Sequence, residues 1–115
     1  MTEEERAVVD FLLGAEFPGV ESLREQARHA KVTGLCGCGC PTFSLFVDKS
    51  LAEQAPTATS GQPVRADAVS TDEPFGLLLF TERGWLESVE LVWYGEAPPS
   101  TFPDLSVFDP PVAQR

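Results

Sequence analysis

The sequence has little positive charge and only one histidine. Its 115 residues include eight Lys and Arg against eighteen Asp and Glu, which gives a formal net charge of −10 at pH 7. This charge opposes association with nucleic-acid phosphates and with anionic membranes. The single histidine, His29, removes multi-histidine metal sites and most general-base schemes. Since the sequence also has no G-x-S-x-G motif and no phosphate-binding glycine loop, these absences favour a binding protein over an enzyme.

Long apolar runs and regularly spaced cysteines are missing as well. No segment reaches the roughly 18 apolar residues of a membrane-spanning helix. The first residues, Met1–Glu5, are acidic, whereas a secretory signal begins with basic and then apolar residues. The three cysteines lie within five residues, unlike the spaced, even set of a secreted disulfide scaffold. We therefore expect a cytoplasmic protein.

The overall composition of the sequence is that of a single folded domain. Hydrophobic residues make up 43% of the chain and charged residues 23%, which is typical of a chain with a buried core. A length of 115 residues supports one such core, so we predict a single domain over residues 1–115. Within it we expect a helical part (1–30), an antiparallel sheet (31–95) and a proline-rich extended arm (96–115).

Two helices are predicted in the helical part. Thr2 followed by Glu5 is a capping box, so the first helix begins there, and Gly14 marks its end. Pro18 fits the first turn of a second helix, because its missing N–H costs nothing at that position. This second helix has an apolar stripe with charged residues on its other side, the pattern of a surface helix with one buried face. The stripe consists of Val20, Leu23, Ala27 and Ala30.

From Lys31 onwards the pattern becomes that of strands. Strands are predicted at residues 42–48, 64–70, 76–81 and 85–94. The first of these alternates between apolar and polar side chains, with Phe46 as its one interruption. The last two form a hairpin with Glu82-Arg83-Gly84 as a three-residue loop. Together the elements predict an α+β fold of two layers, in which two N-terminal helices pack on a four- or five-stranded antiparallel meander.

One short motif, the CGCGCP run at residues 36–41, has the residues for chemistry. Cys36, Cys38 and Cys40 with His29 would supply the four ligands of a tetrahedral zinc site. The spacing argues against a metal, because Cys-x-Cys in an extended strand separates the side chains by about 6.6 Å, although two glycines would let the strand kink. A redox-active thiol and a structural role, with cysteine as a compact apolar residue, are the alternatives. No other cofactor is expected.

Four segments of the chain are recognisable together: Phe17–Glu21, Cys38–Pro41, Leu77–Phe80 and Val92–Pro99. With these segments, the chain resembles a family of small uncharacterised bacterial proteins of the actinobacterial type. The resemblance covers most of the chain. It carries no activity, and so it implies no cofactor and no functional residue.

Three functions are consistent with these residues. The first is a non-enzymatic module that binds an unknown protein or small-molecule partner, as a monomer or a homodimer. The second is a thiol or metal-binding protein that uses the Cys36/Cys38/Cys40 cluster. The third is an immunity-type inhibitor whose negative surface neutralises a basic partner. We favour the first, because the hairpin is rich in aromatic residues and no catalytic set can be assembled.

Overall fold

The protein has two α-helices followed by six β-strands within the residues that its computed structural model describes. Those residues are 1–35, 41–56, 61–68, 74–93 and 99–113. The bounds are α1 Glu3–Leu12, α2 Val20–Arg28, β1 Ala30–Leu35, β2 Phe43–Val47, β3 Gly61–Ala68, β4 Phe75–Glu82, β5 Trp85–Trp93 and β6 Val112–Ala113, with one turn of 3-10 helix at Leu105–Val107. In this part of the chain, neither helix is long and apolar enough to cross a membrane.

Helix α1 begins where the capping box predicts. The Thr2 hydroxyl accepts a hydrogen bond from the Glu5 N–H (3.1 Å), and the Thr2 N–H donates to the Glu5 carboxylate (2.8 Å). Two donors at the start of the helix are thereby satisfied. Helix α2 instead starts after Gly19, whose φ of 92° is accessible to glycine without strain. It ends with His29 as the C-cap residue, so Ala30, expected on the helical stripe, belongs to β1.

The six strands form one antiparallel sheet in the order β1-β2-β5-β4-β3-β6. The predicted α+β class, with two helices packed on an antiparallel sheet, is confirmed. The sheet differs from the predicted meander in having six strands and in placing β2 beside β5 instead of β3. The reason is the connection after β2, which passes the end of the β4–β5 hairpin, where the Ala55 N–H donates to the Gly84 oxygen over 2.9 Å. The chain therefore enters β3 on the far side of the hairpin.

The β4–β5 hairpin has a two-residue loop in place of the predicted three-residue loop. Glu82 pairs with Trp85, which leaves Arg83 and Gly84 in the turn. Both have positive φ, 52° and 82°, as a type I′ turn requires. The twist of this turn matches the right-handed twist of the strands, which explains why the tighter loop is adopted.

The helices cover one face of the sheet and enclose the core. Along β2, Phe43, Leu45 and Val47 are buried on the core face, while Ser44 and Phe46 are exposed on the opposite face. Along β4 and β5, Leu77, Leu79, Val89 and Leu91 are buried, whereas Leu78, Phe80 and Val92 are half-buried. The largest fully buried apolar side chains are Phe43, Leu12, Leu23, Leu77, Leu79, Val8, Val9, Val64 and Val89.

The polar side chain of Gln26 in α2 lies inside this core with 0% of its surface exposed. Its Nε2 donates to the Glu53 oxygen (2.9 Å) and to the Gly84 oxygen (2.8 Å), and its Oε1 accepts from the Leu86 N–H (2.9 Å). A buried polar group without such partners costs about 1–3 kcal/mol. The Gln26 amide therefore holds α2, the β2–β3 connection and the β4–β5 hairpin in one arrangement.

The proline-rich arm packs on the domain in its described part, residues 99–113. The ring of Phe102 meets the ring of Phe43 edge-to-face at 5.9 Å, and the ring of Phe108 lies 6.3 Å from that of Phe11. Both arm phenylalanines are buried. At its end the arm forms β6, which pairs with β3 and gives the sheet its sixth strand. Aromatic contacts and strand pairing thus attach the arm to the domain. Its prolines prevent a longer helix or strand there.

We expect Gln26→Leu to lower the free energy of unfolding by about 3–5 kcal/mol, because leucine leaves the Glu53 oxygen and the Leu86 N–H without their partner. Unfolding in urea measures the change. Gln54→Leu is the matched control, since Gln54 is exposed and donates only at the surface, to the Arg83 oxygen. It should cost less than about 1 kcal/mol. Equal losses in the two variants would contradict a central role for the buried amide.

Gly84→Ala should destabilise the protein by more than about 3 kcal/mol, since a Cβ there would overlap the Ala55 carbonyl oxygen at a φ of +82°. Two other glycines separate the effect of the steric overlap from the effect of the left-handed backbone conformation. Gly61→Ala, at a φ of +103° with no described atom within 4 Å, should lose only the left-handed cost of about 1–2 kcal/mol. Gly34→Ala, with neither feature, should be nearly neutral. Thermal unfolding would refute the contact if Gly84→Ala and Gly61→Ala lost the same stability.

Candidate functional site

Phe46 is an aromatic side chain that the sheet leaves in solvent. It lies on the face opposite the helices, and 54% of its surface is exposed. In the sequence it interrupts the alternation of residues 42–48, and in the structure it occupies a position where a polar residue is expected. The ring lines two neighbouring clefts. We call Phe46 and these two clefts the Phe46 surface.

The first cleft lies between β2 and the β4–β5 hairpin and has a volume of about 350 Å³. It forms because the two strands separate: in their described residues, β2 and β5 pair at Phe43–Val89 and Ser44–Ser88 and no further. A register shift in the β4–β5 ladder lies close to this point, and such irregularities bend and twist a strand. The polar and aromatic side chains that line the cleft are Phe46, Lys49, Glu82, Arg83, Trp85 and Glu87.

A cation and an aromatic ring meet in the first cleft. The Lys49 ammonium lies 5.2 Å from the centroid of the Trp85 ring, within the range of a cation–π interaction. Trp85 also packs against the core, so its ring has a fixed position. Glu82 and Glu87 are exposed and balance the charges of Lys49 and Arg83. The first cleft is therefore aromatic and formally neutral.

The second cleft lies between the end of α2, the start of β1 and the residues that follow β2, and its volume is about 310 Å³. Leu51, with 57% of its surface exposed, gives this cleft an apolar side in addition to Phe46. The charged and titratable side chains that line it are Arg28, His29, Lys31 and Asp48. Glu25 of α2 lies beside this cleft, with its Oε2 3.4 Å from Arg28 Nη1 and its Oε1 3.4 Å from His29 Nε2. Glu25 therefore offsets the charge of Arg28, and the remaining cation, Lys31, pairs with Phe46 across the β1–β2 ladder.

The one carboxylate of the second cleft is already hydrogen-bonded. The Ser50 hydroxyl donates to Asp48 Oδ1 over 2.6 Å, and the Ser50 N–H donates to the same oxygen over 2.9 Å. These two bonds, the hydroxyl first, hold the pKa of Asp48 below its usual value, with smaller contributions from the charges of Lys31 and His29. Asp48 is therefore ionised at neutral pH, and one of its oxygens is occupied.

His29 is the predicted metal ligand that the structure describes. Its Nε2 lies 3.4 Å from Glu25 Oε1, one helical turn earlier. Outside the described residues lie Cys36, Cys38 and Cys40, so the metal site stays a prediction. Strand β1 separates His29 from Leu35, the residue before the cysteines, by about 20 Å of extended chain. Among the described residues, no three metal-binding side chains come together.

Positive charge is concentrated at the Phe46 surface. The described residues that line the two clefts include four of the eight Lys and Arg of the chain, but three of the eighteen Asp and Glu. Both lysines of the chain, Lys31 and Lys49, are among them. The other four basic and fifteen acidic residues give the rest of the chain a formal charge of −11. With Glu25, the ion-pair partner of Arg28, counted as well, four basic residues face four acidic ones, so this surface is formally neutral on a strongly acidic protein.

The Phe46 surface was not found by sequence reasoning. Its one sequence signal is the interrupted alternation at Phe46. The other side chains come from the end of α2, the start of β1, the connection after β2 and the β4–β5 turn. These segments meet because β2 lies beside β5, and no local pattern in the sequence indicates that strand order.

Phe46→Ala should change the free energy of unfolding by less than about 1 kcal/mol, because the ring is mostly in solvent and outside the core. Phe43→Ala is the matched comparison on the same strand. Its ring is fully buried and meets Phe102, so we expect a loss of about 3–5 kcal/mol. Urea unfolding of both variants measures the difference. A large loss for Phe46→Ala would show that the ring serves folding instead of binding.

The chain matches no family model, and neither the curated proteins nor the solved structures contain a significant match to it. The resemblance to small bacterial proteins therefore stays a prediction.

Proposed function

We propose that this protein is a binding protein that takes, at the Phe46 surface, a ligand with a negative charge and an apolar or aromatic group. The observation that carries the proposal is the exposed ring of Phe46 between two clefts that hold half of the basic residues of the chain. The hypotheses of a thiol or metal protein and of an inhibitor of a basic partner stay predictions from the sequence.

Folding leaves much of the Phe46 side chain in solvent. Burying that part against a ligand would therefore contribute to the free energy of binding. Covering a phenylalanine side chain completely contributes about 1.5–3 kcal/mol. More than half of the Phe46 ring remains available to a ligand (54% exposed), and the exposed part of Leu51 adds to it in the second cleft. A ligand with an apolar group would therefore gain affinity here.

The charge of the ligand follows from the range of electrostatic forces. At physiological salt the screening length is about 8 Å, so a bound group is influenced mainly by charges in its own cleft. Near Phe46 those charges are Lys31, Arg28 with its ion-pair partner Glu25, and Asp48, while most of the carboxylates of the chain lie elsewhere. A carboxylate, sulfonate or phosphate group beside Lys31 therefore meets less repulsion in the second cleft than on the rest of a protein with a net charge of −10.

A titration of the ¹⁵N-labelled protein with naphthalene-2-sulfonate tests the proposal, because this probe joins one anionic group to one aromatic ring system. We expect saturable shifts of the amide signals around Phe46, and at least fivefold weaker binding of the neutral naphthalene-2-sulfonamide. Phe46→Ala should weaken binding about tenfold, which corresponds to about 1.4 kcal/mol of lost apolar contact.

Leu35→Ala is the matched control for this titration. Leu35 is also an exposed apolar residue, but it lies at the far end of β1 from the second cleft, so its removal should leave the affinity unchanged. The proposal fails if the sulfonate gives no saturable shifts, or if the neutral probe binds equally well.

A further inference from the structure

The geometry points to one continuous site for an acidic peptide segment of a partner protein, which crosses β2 over Phe46 and occupies both clefts. This inference rests on the proposed function and names the partner. Phe46 is the wall that the two clefts share, so a ligand in one cleft contacts the ring that borders the other. The two clefts therefore act as parts of a single surface.

The dimensions fit an extended peptide. The clefts have volumes of about 350 and about 310 Å³ and border the ring of Phe46, one towards the β4–β5 hairpin and the other towards the end of α2. Groups on the two sides of one such ring are separated by about two strand spacings, about 10 Å. Alternate side chains of an extended peptide are about 6.6–7 Å apart on one face, so a step of two or three residues joins the clefts. A compact small molecule would fill only one of them.

The charges distinguish the two ends of the peptide. The first cleft is formally neutral and contains the ring of Trp85, so it suits a bulky apolar side chain. In the second, Arg28 is paired with Glu25 and Asp48 is hydrogen-bonded to Ser50, while Lys31 lies directly across the β1–β2 ladder from Phe46. An acidic side chain beside Phe46 therefore meets the ammonium of Lys31. The partner segment combines Asp or Glu with a large apolar residue two or three positions away.

Two synthetic peptides, Ser-Glu-Glu-Ser-Phe-Leu-Ser and its reversed sequence, test this inference in both chain directions. Titrated into the full-length ¹⁵N-labelled protein, one of them should shift the Trp85 indole N–H and the Lys31 amide along the same binding curve. Its affinity should exceed that of naphthalene-2-sulfonate at least tenfold, because it occupies both clefts. Replacing its two Glu by Lys should reduce the affinity at least tenfold.

Lys31→Gln should lower the affinity for the peptide at least threefold. Lys31→Arg should keep the affinity of the unchanged protein, because the positive charge is required and not the lysine itself. Lys31 is exposed, so both variants keep the fold. Shifts confined to one cleft, or an affinity no better than that of naphthalene-2-sulfonate, would overturn the peptide inference and leave the proposed function standing. If neither peptide nor the sulfonate binds, both proposals are wrong.

Discussion

The arrangement of this domain depends on the buried amide of Gln26. Two backbone segments that are distant from Gln26 in sequence reach this side chain: the β2–β3 connection at Glu53, and the end of the hairpin at Gly84 and Leu86. The bonds to Gly84 and Leu86 are buried and the bond to Glu53 is partly buried, so the amide determines how α2, the connection and the hairpin meet. The Gly84 oxygen, which also accepts from Ala55, joins the same network.

The Phe46 surface is a consequence of that arrangement. The Gln26 network positions the hairpin end, and with it Trp85 and its neighbours beside β2. The connection that the amide holds at Glu53 also carries Lys49 and Leu51 into the two clefts. A packing constraint inside the core thus brings together the groups that surround Phe46.

Charge distribution distinguishes this surface from the rest of the protein. A protein with eighteen acidic and eight basic residues repels anions over most of its surface, and yet both of its lysines lie at Phe46. Screening limits the influence of the remote carboxylates to about 8–10 Å, so the potential at the two clefts depends mainly on the charges that line them and on Glu25 beside Arg28. The negative remainder of the protein would oppose the proposed anionic ligand at other places.

The sequence by itself determined the elements that depend on near neighbours. The capping box at Thr2, the two helices, the antiparallel strands and the α+β class follow from spacing and alternation, because these patterns act over a few residues. The sequence also predicted the position of the hairpin turn at Arg83 and Gly84, but the loop has two residues instead of the expected three. Only the tertiary structure decided the strand order and the Phe46 surface. Both depend on contacts between residues up to 60 positions apart, such as that of Gln26 with Leu86, and closing such long loops leaves no signal in the local sequence.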